Sequence, residues 1–244
     1  STAWSTDTPT LTTFFTSSVQ KSGTSGNYYL STFQVTPAND AAAVQFDIAY
    51  GNMFGSGSIA FNSAYPNLSP SSTIYGQYRS MILENENSSF QYGDGTNIYT
   101  PNDFWALSID RARYKQEISP STFNLTLTGT GGTLDLTSNV LDSPVNTFLG
   151  SSQVYQIVSG SNGSAVAGGG FANGYGSYGL LFPELGTVLL NPAAINQSIG
   201  VNSNQITNLT NGANNITLFE SLSSFTLNAQ ETITSDYVFV RSRN

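Results

Sequence analysis

Short alternations of apolar and polar residues recur along most of the chain, and this period-two pattern is typical of β-strands. Within 42–50, Val44, Phe46 and Ile48 alternate with polar or small residues. Similar alternation predicts strands over 27–36, 104–109, 123–127, 133–137, 153–159, 178–182, 186–190, 219–229 and 231–241. The segment Gly129–Gly132 is typical of a turn between two short strands.

One stretch has the helical period instead. Apolar side chains at 74, 75, 78, 81 and 82 recur every three or four residues. Ser69 and Pro70 supply an N-cap residue followed by proline at the first helical position, which is a helix-start signal. The pattern therefore predicts a helix over 71–83. The segment 110–117 favours one or two further helical turns, ended by Ser119 and Pro120.

These elements predict a mainly β fold, with sandwich or barrel-like antiparallel sheets and one or two short helices. Residues 1–26 are rich in Ser, Thr and Gly, with Leu11, Phe14 and Phe15 as apolar anchors. They predict an N-terminal arm or loose segment, and simple terminal disorder is the alternative. Residues 27–244 are expected to form a single β-rich domain, because an all-β fold can use this length for one domain.

Composition narrows the possible chemistry. Only 9% of the residues are charged, against about 25% in a typical globular protein, and the chain is rich in Ser, Thr and Asn. The chain has no His and no Cys, so Ser–His and Cys–His nucleophile systems and zinc sites with N or S ligands are excluded. No apolar run approaches the ~18–20 residues of a membrane-spanning helix.

The few positive charges are unevenly placed. Net charge is −8, and there is no Lys or Arg from Gln116 to Val240. Nucleic-acid binding and a polybasic membrane-surface role both need cations, so neither partner is expected. Three of the seven cations are Arg111, Arg113 and Lys115, which we interpret as a candidate interface for an acidic patch on a partner or a neighbouring copy. The alternative is a solvated face with local ion pairs, each worth ~0–1 kcal/mol.

Other candidate sites are weaker. The glycine-rich segment Gly168–Gly179 lacks the Gly-Lys-Ser/Thr ending of a phosphate-binding loop, and it indicates close backbone approach between strands or subunits. Glu84, Glu86 and Asp94 could contribute to an oxygen-only Ca²⁺ site, but Asp-x-Asp-x-Asp spacing is absent. The acidic residues show no pattern of paired catalytic carboxylates. We therefore predict no catalytic residue, no cofactor and no metal ligand.

Several segments together carry a resemblance to a known group of proteins, chiefly through their order and spacing. They are Ala43–Gly51 with Phe54–Ser58, Ser69–Arg79, Ile109–Lys115 with Pro120–Leu127, Tyr178–Gly186, and Asp236–Arg241. From about residue 43 onward the chain resembles virion structural proteins of contractile-tailed bacteriophages, especially T4-like marine phages and cyanophages and some jumbo phages. In that group the segment often belongs to a longer chain that continues past the last of these motifs.

The resemblance implies a structural protein without catalytic residues. The expectation is a non-enzymatic virion subunit of the tail, baseplate or neck, or a head decoration, assembled in the host cytoplasm. Its partners would be copies of itself and other virion proteins, through symmetric contacts. A low-charge surface rich in small polar residues suits such repeated contacts. The alternative is a carbohydrate-binding β-sandwich module of a phage fibre or a secreted protein, because tyrosines and tryptophans can form a sugar platform.

Overall fold

The computed structural model describes residues 1–16, 28–59, 61–83, 85–140, 153–209 and 212–231. The mainly β class is confirmed. The strands are β1 (Thr10–Leu11), β2 (Phe15–Thr16), β3 (Tyr29–Phe33), β4 (Val44–Asn52), β5 (Asp103–Ile109), β6 (Glu117–Ile118), β7 (Asn124–Gly129), β8 (Gly132–Ser138), β9 (Tyr155–Ser161), β10 (Ser164–Ala165), β11 (Gly179–Phe182), β12 (Thr187–Leu190), β13 (Leu222–Thr226) and β14 (Ala229–Gln230). The helices are α1 (Pro70–Ile82), α2 (Arg111–Tyr114), α3 (Pro192–Ile199) and α4 (Ala213–Ser221), with 3₁₀ turns at Pro66–Leu68 and Pro120–Thr122.

Twelve of the strands form one antiparallel sheet, in the order β1-β13-β7-β8-β9-β11-β12-β5-β4-β3-β2, with β10 paired to β9. β14 and β6 form a separate two-stranded sheet. β1 and β2 lie at opposite ends of the large sheet, yet only residues 12–14 separate them. Because an extended chain advances at most ~3.3–3.6 Å per residue, the two ends must lie close together. The sheet is therefore curled into a half-barrel.

The curl separates an inner core from an outer core. Along β5, Trp105, Leu107 and Ile109 belong to the inner cluster, whereas Phe104 and Ala106 belong to the outer one. This alternation follows from the period-two geometry of a strand. Helix α1 covers the outer face with Ile74, Tyr75 and Ile82, and α3 and α4 contribute side chains to the inner cluster. Both faces of the central strands are thus buried, which explains why β11 and β12 are apolar or buried at every position.

The N-terminal segment, predicted as an arm or loose segment over 1–26, is docked on the sheet as far as the structure describes it. Trp4 is only 2% exposed, and its ring lies 6.1 Å from that of Phe46 in β4 and 5.0 Å from that of Phe225 in β13. Phe46 and Phe225 are themselves 5.3 Å apart. Trp4 thus joins the two ends of the curled sheet, and it is an anchor that the sequence analysis did not identify.

Most predicted elements are present with small shifts in their ends. The helix predicted over 71–83 is α1, and the turn at 129–132 connects β7 to β8. Ser69 occupies the N-cap position of α1, but its hydroxyl donates to the Pro66 carbonyl oxygen at 2.9 Å instead of capping the helix. The strand predicted over 231–241 lies outside the described residues beyond its first position.

The single strand predicted over 219–229 is wrong in its first three residues, which are helical, and at 227–228, which separate β13 from β14. The sequence did not predict α3 or α4. Residues 219–221 form the last turn of α4, which ends at Ser221. The buried side of α4 includes Asn214, whose side-chain amide donates to the Gly57 and Asn204 carbonyl oxygens at 2.9 Å each. A polar residue at a buried position interrupts the apolar stripe from which an amphipathic helix is predicted. The signal for α3 was available, since Asn191, Pro192 and Gly200 form a cap–proline–glycine pattern.

Candidate functional site: the cationic turn and the adjacent groove

The predicted interface residues lie on a short helical turn that follows β5. Asp110 is the N-cap of α2, and its Oδ1 accepts a hydrogen bond from the backbone N–H of Ala112 at 2.8 Å. Lys115 ends the turn with a left-handed φ of 57°. The prediction of one or two helical turns here is confirmed as a single turn. We refer to residues 111–115 as the cationic turn.

The three cations of this turn have different surroundings. The Arg111 guanidinium lies 4.8 Å from the centroid of the Tyr114 ring, and its Nη1 donates to the Tyr114 hydroxyl at 3.1 Å. Lys115 Nζ lies 3.1 Å from Glu231 Oε2, and both side chains are about half exposed, so this pair contributes only ~0–1 kcal/mol. Arg113 forms no ion pair with any described residue, and its Nε is shielded from solvent without a hydrogen-bond partner.

A polar row crosses the outer face of the sheet beside this turn. Ser31 of β3 is opposite Asp47 of β4, Asp47 is opposite Ser108 of β5, and Ser108 is opposite Thr187 of β12. The Ser31 hydroxyl donates to Asp47 Oδ1 at 2.6 Å. Register thus brings four short polar side chains from distant parts of the sequence onto one line.

Helix α1 turns this polar row into the floor of a groove. Its side chains Ile74, Tyr78 and Met81 form one wall, and Tyr78 reaches across so that its hydroxyl lies 2.5 Å from Ser108 Oγ. The cavity has a volume of about 500 Å³. We call this cavity the groove. The described residues that line it are Tyr29, Asp47, Ala49, Ile74, Gln77, Tyr78, Ser80, Met81, Ser108, Leu185 and Thr187.

Asp47 carries the only carboxyl group among the described residues that line this groove. Burial raises the pKa of its carboxyl above the ordinary value, and the hydrogen bond from Ser31 opposes that shift. The nearby negative charge of Asp110 raises the pKa of Asp47 further. Within the described ranges, no cation lies within 4.0 Å of this carboxylate. The groove therefore presents a partly desolvated negative charge between apolar walls.

Backbone and side-chain hydrogen bonds fix the cationic turn at the end of the groove. The backbone N–H of Asp110 donates to the Gln45 carbonyl oxygen at 3.0 Å, two residues before Asp47. Arg111 Nη1 donates to the carbonyl oxygen of Glu184 at 3.5 Å, and the next residue, Leu185, lines the groove. The start of the cationic turn thus lies beside the strand that carries the half-buried acid. We name this surface, made of the cationic turn and the groove, the groove face.

A second, polar pocket of about 280 Å³ lies beside α3. The rings of Tyr99 and Tyr175 meet edge to face at its rim, with centroids 5.2 Å apart. Asp103 is buried at its base, where Oδ2 accepts hydrogen bonds from the Tyr50 hydroxyl at 2.8 Å and from Ser203 Oγ at 2.6 Å. Five amide side chains also line the pocket: Asn102, Asn196, Gln197, Asn202 and Gln205.

Burial controls the ionisation of this cluster. It raises the pKa of Asp103, although the hydrogen bonds from Ser203 and Tyr50 lower it in part. Burial, together with the charge of Asp103, also raises the pKa of Tyr50. Because two hydroxyls already donate to Asp103, its main role is to hold β5, β4 and the segment after α3 together.

The glycine-rich segment permits close backbone approach, as the sequence predicted. A Cβ at Gly176 would lie 2.1 Å from the Tyr92 carbonyl oxygen, and one at Gly170 would lie 2.5 Å from the Ser159 carbonyl oxygen in β9. Both glycines have positive φ, which side chains disfavour. The segment is therefore explained by packing between neighbouring strands and loops.

The remaining candidate sites do not come together in the described chain. Across the described ranges, no group of three His, Cys, Asp or Glu residues is placed to hold a metal ion. Glu84, one of the three acids considered for Ca²⁺, lies outside those ranges. Among the helices that the structure describes, none combines the length and the apolar character needed to cross a membrane.

Comparison with known proteins adds no family assignment. No family model matches the chain, and neither a curated protein nor a solved structure matches it.

Proposed function

We propose that the protein is a non-enzymatic structural subunit of a bacteriophage virion, in the tail, baseplate or neck. It assembles through symmetric contacts with copies of itself and with other virion proteins. The groove face is the surface through which at least one of these contacts forms.

The observation that carries this proposal is the convergence of the segments that resemble phage virion proteins. Ala43–Gly51 supplies Asp47 and Ala49 of the groove floor, Ser69–Arg79 supplies most of the helical wall, and Tyr178–Gly186 supplies Leu185. Ile109–Lys115 contains the cationic turn at the end of the groove. Segments more than a hundred residues apart thus build one surface, which favours a shared role in contacts with neighbours.

The charge distribution supports the same proposal. Only 9% of the residues are charged, and the ion pair that joins two described residues is Lys115 with Glu231. Such a sparsely charged surface loses little hydration energy when it is covered by another protein. Three of the four Lys and Arg residues that the structure describes, Arg111, Arg113 and Lys115, lie in the cationic turn. Complementary charges between two proteins fix register and steer assembly.

Removal of the two arginines of the cationic turn tests this role. The double variant Arg111→Ala with Arg113→Ala is expected to fold, because Arg111 is exposed and the partly buried Arg113 makes no ion pair with a described residue. It is expected to be incorporated into particles at reduced occupancy. Quantitative mass spectrometry of purified particles, scaled to the major capsid protein, measures that occupancy. A matched control removes two exposed charges elsewhere, Asp135→Ala on β8 with Glu220→Ala on α4, and should leave occupancy unchanged.

Two outcomes contradict the proposal. Absence of the wild-type chain from purified particles would exclude a virion role altogether. Wild-type occupancy of the folded arginine variant would show that the cationic turn is only a solvated surface, and the groove face would lose its assigned role.

One observation favours the second candidate function, carbohydrate binding. The polar pocket joins two tyrosine rings to five side-chain amides, and amides both donate and accept hydrogen bonds, as sugar hydroxyls do. A glycan array with the purified chain tests this function. Binding that disappears in Tyr99→Ala with Tyr175→Ala would support it, and an array without signal would remove it.

A further inference from the structure

Two side chains of opposite charge in this region, Asp47 and Arg113, form no ion pair with any described residue. The Asp47 carboxylate has no cation within 4.0 Å, although burial removes part of its hydration. The Arg113 guanidinium forms no ion pair. A partly buried carboxylate without a cation keeps part of its desolvation cost even when a hydroxyl donates to it, and a cation from another molecule would offset that cost.

The possible cations are few. Among the described residues they are Arg79, Arg111, Arg113 and Lys115. Arg79 lies 5.5 Å from the centroid of the Tyr75 ring, Arg111 packs on Tyr114, and Lys115 pairs with Glu231. Arg113 is the one described Lys or Arg side chain with neither an aromatic contact nor an ion pair. It is therefore the cation that is available to a second copy.

We propose that the groove face is a two-fold contact between copies of this chain, in which Arg113 of each copy pairs with Asp47 in the groove of the other. This inference rests on the proposed function, because it specifies one of the contacts between copies. The two-fold arrangement is suggested by the short path between the two groups: the backbone N–H of Asp110, three residues before Arg113, donates to the Gln45 carbonyl oxygen, two residues before Asp47. An isologous contact uses the same patch on both subunits, so the patch must carry both members of each pair.

Apolar side chains at the groove supply the remaining complementarity. Tyr29 is 53% exposed and Met81 is 44% exposed, and both line the groove on either side of its polar floor. Aromatic residues and Met are enriched at protein interfaces, because they bury large apolar areas with adaptable packing. In the two-fold contact they surround the ion pairs and exclude water, which makes each pair stronger than an exposed one.

Charge reversal tests the contact. The molar mass of the wild-type chain, measured by sedimentation equilibrium over a range of concentrations, is expected to be that of a reversible dimer. Either Asp47→Arg or Arg113→Asp should raise the dimer dissociation constant at least about 30-fold, the equivalent of ~2 kcal/mol for a truncated interfacial pair. The combined variant, Asp47→Arg with Arg113→Asp, recreates both pairs in reverse and should restore the dimer.

Two controls separate a lost contact from a lost fold. Asp135→Arg makes the same charge change as Asp47→Arg on an exposed position of β8, and it should leave the dissociation constant unchanged. Asp47→Asn keeps the shape of the side chain and its ability to accept the Ser31 hydrogen bond, so it should fold and still weaken the dimer. Circular dichroism tests whether each variant is folded.

Three results would overturn the inference: a wild-type chain that is monomeric at every concentration, a folded single reversal that dimerises like wild type, or a folded combined variant that remains monomeric. These results leave the virion role intact, since particle mass spectrometry tests that role separately. Conversely, a chain that dimerises through these residues but is absent from particles would refute the proposed function alone.

Discussion

Truncation of Trp4 tests whether the N-terminal segment is part of the folded body. The Trp4 ring fills the space between Phe46 and Phe225, and its Nε1 donates to the Phe225 carbonyl oxygen at 2.9 Å. Neighbouring Ser5 extends the attachment, because its backbone N–H donates to Gln45 Oε1 at 3.1 Å. Trp4→Ala removes the ring contacts and the hydrogen bond together, at a point where the two ends of the sheet meet.

The expected loss is large. Truncation of a buried aromatic side chain to alanine costs ~3–5 kcal/mol, because it removes buried apolar surface and leaves a cavity. The Phe225 carbonyl also loses its Trp4 donor, which adds about 1 kcal/mol. Against a total folding stability of ~5–15 kcal/mol, this change brings the protein close to unfolding at room temperature. Trp4→Phe keeps a ring at the site and should cost only ~1–2 kcal/mol.

Equilibrium unfolding in urea measures these differences. The chain has two tryptophans, so Trp105, which is fully buried in the inner core, remains as the fluorescent probe in the Trp4 variants. Tyr65→Ala is the matched control, because Tyr65 is 64% exposed and its removal should change stability by no more than ~0.5 kcal/mol. If Trp4→Ala is equally neutral, the N-terminal segment is a loose arm and Trp4 does not hold the ends of the curled sheet together.

Two further changes probe the sites themselves. Burial raises the pKa of Asp103, so the folded state keeps this proton to higher pH than the unfolded state, and wild-type stability has a component that falls as pH rises above about 3.8. Asp103→Asn should lack this component in urea titrations run from pH 4 to 7, and an unchanged pH slope would contradict the assignment. Gly186 has φ of 60°, and a Cβ there would lie 2.2 Å from Tyr114 Cε1. Gly186→Ala should therefore destabilise the protein by more than ~1 kcal/mol and displace the cationic turn, whereas wild-type stability in urea would count against this packing.

Local patterning by itself determined the strands and the first helix. Period-two alternation placed Phe46 and Ile48 on a buried side, and both are fully buried in the inner core. The spacing of apolar residues identified α1, and the predicted start at residue 71 lies one residue after the observed start at Pro70. These predictions succeed because strand and helix periods repeat within a few residues, so the sequence alone contains them.

The arrangement of the groove and the cationic turn could be found only in the tertiary structure. Alternation indicated that Asp47 faces away from Phe46, but only strand register places Ser31, Ser108 and Thr187 beside it. These residues are separated by as much as 156 positions along the chain, and no local period encodes their pairing. The cationic turn was visible as a cluster of charge, whereas its position at the end of a groove depends on contacts with the β11–β12 hairpin.

Closure of the sheet also depended on contacts between distant residues. Sequence composition made the first residues resemble a loose segment, because small polar residues dominate there and a lone Trp has no periodic partner. In the folded protein, Trp4 lies between β4 and β13, which meet only after the whole sheet has curled. The sequence determined which residues are apolar and with what period. The three-dimensional fold decided which of them meet, because pairing between distant strands is set by the global minimum of burial and hydrogen bonding.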